Sequence, residues 1–99
     1  MASKKSKVVK FGDVDIVFKE LDVSEVRSLM GIKPVDYIDA FALDGITLSE
    51  LAYMAGIAVE EFDRASSGDL DELCSAAKEV NPLFFGIRDR LGKLVERVQ

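Results

Sequence analysis

The chain has 99 residues, 48% apolar and 31% charged, a balance that describes one ordered soluble domain and excludes a disordered chain. Its net charge of −5 comes with one cysteine and no histidine, which excludes an intrachain disulfide and leaves little for nucleophilic, acid–base or metal chemistry. The start MASKKSKVVKF lacks the apolar stretch of a secretion signal, and nowhere do about 18 apolar residues run together, so a cytosolic protein with no membrane span is expected.

Charge is unevenly placed. Residues 1–10 carry Lys4, Lys5, Lys7 and Lys10 without an acid, and a flexible basic tail is expected over 1–7 ahead of a single helical domain over 8–99. Residues 11–87 hold sixteen of the eighteen acids but only five of the thirteen bases, a balance of −11. The body is strongly acidic.

Alternating β-formers in VVKFGDVDIVF, broken at Gly12-Asp13, predict a short hairpin over about residues 8–18. Asp22 stands three before Glu25 as in a capping box, and Gly31 sits where a glycine ends a helix, predicting a helix over 23–30. Pro34 suits the first turn of a second helix, with Val35, Ile38 and Phe41 or Ala42 on one face and a stop at Asp44-Gly45. Thr47 and Glu50 form a second capping box, opening a helix to Ala55 that Gly56 breaks. A helix over 59–65 follows, then the separator SSGD, then a helix over 69–80 with Leu70, Leu73, Cys74 and Ala77 on one stripe. Asn81-Pro82 ends that helix and starts a last one reaching about Val98. The fold class is therefore mainly α, a small domain of five to six helices with an N-terminal hairpin.

Residues 47–66, TLSELAYMAGIAVEEFDRAS, have the spacing of a repressor-type helix-turn-helix, with Ala52 permitting close approach, Gly56 turning, and Phe62 and Ala65 facing inward. The same spacing serves any tightly packed helix pair. The would-be recognition helix carries Glu60, Glu61 and Asp63 against Arg64 alone, the wrong charge for a phosphate-lined groove. A small DNA-binding regulator is the alternative reading, and nucleic acid is not the expected partner. The acidic pairs in DVD (13–15) and DLDE (69–72) lack the glycine and distant glutamate of a calcium loop, the second suits a helix N-terminus, and neither a metal nor a cofactor is expected.

On the last helix Phe84, Ile87, Leu91, Leu94, Val95 and Val98 fall on one stripe, opposite Asp89, Lys93, Glu96 and Arg97. Phe85 lies among the charges, either packed under the hairpin or a neighbouring loop or presented to a partner. Gly86 and Gly92 fall inside this helix and mark either close approach of another backbone or a weaker helix. Leu83, Phe84, Phe85 and Ile87, with Leu91 and Leu94 behind them, are the candidate partner-binding surface, which self-association would also use.

Three stretches, LDVSEVR, EEFDRASSGDLDEL and EVNPLFF, within residues 18–87, resemble the tail assembly chaperones of long-tailed bacteriophages. The resemblance implies a non-enzymatic protein of the host cytoplasm, absent from the mature virion. It would bind the tape measure protein, keep its apolar surface from aggregating and help recruit tail tube protein. In this family a longer form made by ribosomal frameshifting often supplies the tube contact.

Overall fold

The structure is a computed structural model in which residues 5–98 are described, with side chains through Leu94. A two-stranded antiparallel hairpin, β1 (Ser6–Phe11) and β2 (Val14–Lys19), is followed by α1 (Val23–Met30), α2 (Tyr37–Phe41), α3 (Leu48–Ala55), a 3₁₀-helix (Val59–Arg64), α4 (Ser67–Val80) and α5 (Pro82–Val98). The molecule is mainly helical with an N-terminal hairpin, as the sequence pattern predicts.

The hairpin pairs Lys7 with Phe18, Val9 with Ile16 and Phe11 with Val14. Period-2 alternation then turns Val9, Phe11, Ile16 and Phe18 inward and leaves Val8 and Val17 outside. Gly12 alone takes a positive φ, +61°, at the first central position of the two-residue turn. A type II′ hairpin holds glycine at that place, so the GD order serves the turn. Strand β1 begins at Ser6, two residues earlier than predicted, and Lys7 within it pairs with Glu79 of α4. Of the expected basic tail, residues 1–4 lie outside the described residues.

Helix α4 lies across the hairpin and buries Leu73, Cys74, Ala76, Ala77 and Val80, the two alanines permitting close approach. It starts at Ser67 rather than 69. Ser66 accepts from the Asp69 N–H at 3.1 Å while Asp69 accepts from the Ser66 N–H at 3.0 Å, so the residues expected to separate two helices form the cap of one. At its other end Asn81 is buried: its Oδ1 accepts from the Leu21 N–H at 2.8 Å and its Nδ2 donates to the Lys19 carbonyl at 3.2 Å. This side chain fastens the α4–α5 corner to the segment between β2 and α1.

Helices α1 and α3 start and stop where predicted, each with a complete capping box. Gly56 ends α3 at φ +71°, a left-handed conformation that lets its N–H reach back to the Ala52 and Tyr53 carbonyls. Helix α2 departs from the prediction, being a five-residue helix capped by Asp36 and starting three residues after Pro34.

Candidate interaction surface

The charged residues with the deepest burial meet at the N-terminus of α3, where the first N–H groups of a helix have no partner within it. Glu50, with 0% exposure, accepts from the Thr47 N–H at 2.8 Å through one oxygen and pairs with Arg88 of α5 through the other. Thr47 Oγ1 accepts from the Glu50 N–H at 3.1 Å. Asp39 reaches over from α2 and accepts from the Ser49 N–H at 2.7 Å, the Ser49 hydroxyl and the Val35 N–H at 3.0 Å. Burial pushes the Asp39 carboxyl up, but these bonds together with one from the Leu48 N–H outweigh it and hold the group below its ordinary value. Two carboxylates and one hydroxyl thus satisfy the start of α3, and they tie α2, α3 and α5 together.

This junction decides which face of α2 is presented. The apolar residues spaced to share a face, Val35, Ile38 and Phe41, point to solvent, because Asp39 on the other side is drawn inward to cap α3. Tyr37 is 84% exposed and Phe41 78% exposed, their rings stacked on each other at 6.3 Å and 24°. A shallow groove lined by Pro34, Val35, Tyr37, Ala40 and Phe41 runs beside them. Sequence reasoning missed this patch as a candidate surface, since a 3.6-residue period gives a shared face but not its direction.

The six residues singled out on α5 are divided by the structure. Phe84 is fully buried, beneath the Arg88 guanidinium at 5.0 Å, so its side chain belongs to the core and not to a contact surface. Phe85 is half-buried, edge-on to Phe84 at 5.1 Å and 83°, with the Lys78 ammonium 5.7 Å from its ring. Ile87 is half-buried, and Leu83, Leu91 and Leu94 are exposed. Ile87, Leu91 and Leu94, at i, i+4 and i+7, form a stripe that continues past the last packed residues of the helix. The opposite side of α5, with Phe85, Asp89 and Gly92, borders a groove of about 620 Å³ closed by Asp44, Gly45 and Lys78. An added Cβ at Gly92 would meet nothing within 4 Å, and at Gly86 only the Arg90 side chain, so neither glycine is there to let a second backbone approach.

In the helix-turn-helix stretch Leu51, Ala52 and Phe62 are buried at the spaced positions. The second member is a 3₁₀-helix of six residues with Glu60, Glu61 and Asp63 exposed. Arg64 is engaged, pairing with Glu61 at 3.4 Å and lying over the Phe11 ring at 5.2 Å. Cys74 is buried, and removal from water pushes its thiol up. Among the described residues no three acidic or thiol side chains come together as metal ligands would, and no helix is long and apolar enough to cross a membrane. Searches of protein-family models, curated proteins and solved structures find no match to this chain.

Proposed function

We propose that this chain is a phage tail assembly chaperone: a non-enzymatic protein of the host cytoplasm that binds the tape measure protein, keeps it soluble and assists assembly of the tail tube. The observation that carries the reading is the outward-facing stripe of α5, with Leu83, Ile87, Leu91 and Leu94 on a helix that extends beyond its own core. An amphipathic stripe of i, i+4, i+7 anchors is suited to a long helical client with an apolar seam of its own. The acidic body adds the net charge that keeps a complex of two apolar surfaces in solution. Phe84 anchors the same helix in the core, and Phe85 lies on the side of α5 opposite the stripe.

The resemblance of LDVSEVR, EEFDRASSGDLDEL and EVNPLFF to the chaperone family supports the choice of client. Contact with the tail tube protein, through a frameshifted longer form, belongs to the same proposal. The DNA-binding alternative has weaker support, since the segment that would enter a groove is six residues long and bears three exposed carboxylates.

The test is co-expression with the tape measure protein of the same phage. The expected outcome is a large protein that becomes soluble and co-purifies, and that precipitates when Leu91→Asp replaces the wild type. A tape measure protein that stays insoluble beside the wild-type chain would overturn the reading. Retarded migration of duplex DNA at low salt, lost on adding salt, would replace it with the regulator.

A further inference from the structure

Among the described residues the α2 patch and the α5 stripe are uncovered apolar surfaces, and their surroundings have opposite charge. Around the α2 patch, the groove beside Val35 and Ile38 is lined by Asp36, Glu60 and Asp63, none of which pairs with a cation among the described residues. Lys33 is the only base between residues 33 and 44. The α5 stripe belongs to the one cationic segment outside the N-terminal tail, residues 88–97 holding four bases against two acids. Arg90 lies one residue from Leu91, exposed and without an ion-pair partner among the described residues.

We propose that the α2 patch of one copy receives the outer part of α5 from a second copy. The stripe of Ile87, Leu91 and Leu94 would lie against Val35, Tyr37, Ile38 and Phe41, with Arg90 facing the carboxylates of Asp36 and Asp63. The docking is helix-in-groove, and the charges fix its orientation. Because one copy gives its last helix and the other its α2 patch, the contact is heterologous, and each added copy presents a fresh α2 patch or a fresh α5. Assemblies therefore grow with concentration into rings or open chains. The inference needs no client protein, so it stands or falls separately from the chaperone reading. A client helix on the α5 stripe would compete with this self-association.

Sedimentation velocity of the purified chain over a concentration series tests it, with two exposed-site variants, Phe41→Asp and Leu94→Asp, whose fold is verified by circular dichroism. The wild type is expected to sediment faster as concentration rises and to lose this when salt is raised from about 0.05 M to about 0.5 M. Each variant alone is expected to remain a monomer. Mixed, they should form a 1:1 dimer and nothing larger, because the intact α5 of Phe41→Asp meets the intact patch of Leu94→Asp. A wild type that is monomeric throughout, a single variant that still associates, or a mixture that stays monomeric would each overturn the pairing. A monomeric wild type that instead bound an unrelated basic amphipathic peptide would assign the patch to another protein.

Discussion

Pro82–Arg88 and Asp89–Leu94 are consecutive stretches of one helix with one repeating apolar pattern, but only the first packs on the core. The inner half inserts Phe84 into the core, rests Phe85 against it and sends Arg88 to the buried carboxylate of Glu50. In the outer half every described side chain, from Asp89 to Leu94, is exposed. An amphipathic stripe thus has two uses within 17 residues, anchorage first and presentation after. The boundary falls at Arg88, the last of the described side chains of the helix that reaches a buried partner.

The largest effect comes from breaking that boundary. Arg88→Met leaves the Glu50 carboxylate buried without its cation, a change that costs about 3 kcal/mol where a buried pair loses one member. Urea denaturation is expected to give a lower midpoint with the slope retained. Adding Glu50→Gln should recover most of the loss, since a neutral amide needs no cation and can still accept from the Thr47 N–H. A double variant as unstable as the single one would show that Arg88 acts through its packing over Phe84 and not through its charge.

A smaller effect comes from the other arm of the junction. Asp39→Asn weakens the cap on α3 and is expected to cost about 1–2 kcal/mol near neutral pH. The Asp39 carboxyl is held below its ordinary value of 3.8, so its contribution is complete above that value and is lost as pH falls through the lower folded-state value. Stability curves of wild type and variant should therefore converge below about pH 3.8. A gap that stayed constant down to acid pH would mean that the hydrogen bonds, and not the charge, hold α2 in place.

What the sequence made legible follows from the range of each interaction. The capping boxes at Asp22–Glu25 and Thr47–Glu50 act over three residues, and both helices begin at the position they mark. The hairpin register follows from alternation and one glycine. Glu50 and Arg88 stand 38 residues apart and Asn81 bonds Leu21 across 60, distances over which no local pattern speaks. Each of these polar residues has an ordinary local role, in a cap, a charged face or a helix end, that conceals its long-range one. The same holds for α2: the spacing of Val35, Ile38 and Phe41 gives a shared face, but its outward direction follows only from Asp39, between them in sequence, capping α3. On α5 the candidate stripe was legible as a stripe. How far the core covers it was not, because coverage depends on where the other elements end.

The smallest effects separate the two halves of α5 without disturbing either. Gly86 and Gly92 are both helical, and replacing each by alanine removes the same backbone penalty of about 1 kcal/mol. Gly86 lies in the anchored half, where the nearest obstacle is the mobile end of Arg90 at 3.4 Å, so Gly86→Ala should raise the global unfolding free energy by about 0.5–1 kcal/mol. Gly92 lies in the outer half with nothing near it. That half can fray without the rest of the molecule unfolding, so its helicity contributes to a local equilibrium and not to the global one. Gly92→Ala should therefore slow amide exchange near the end of the helix by roughly fivefold and shift the global unfolding free energy by less than about 0.5 kcal/mol. Equal gains in global stability from the two substitutions would mean that the outer half unfolds together with the core. The boundary at Arg88 would then be geometric only.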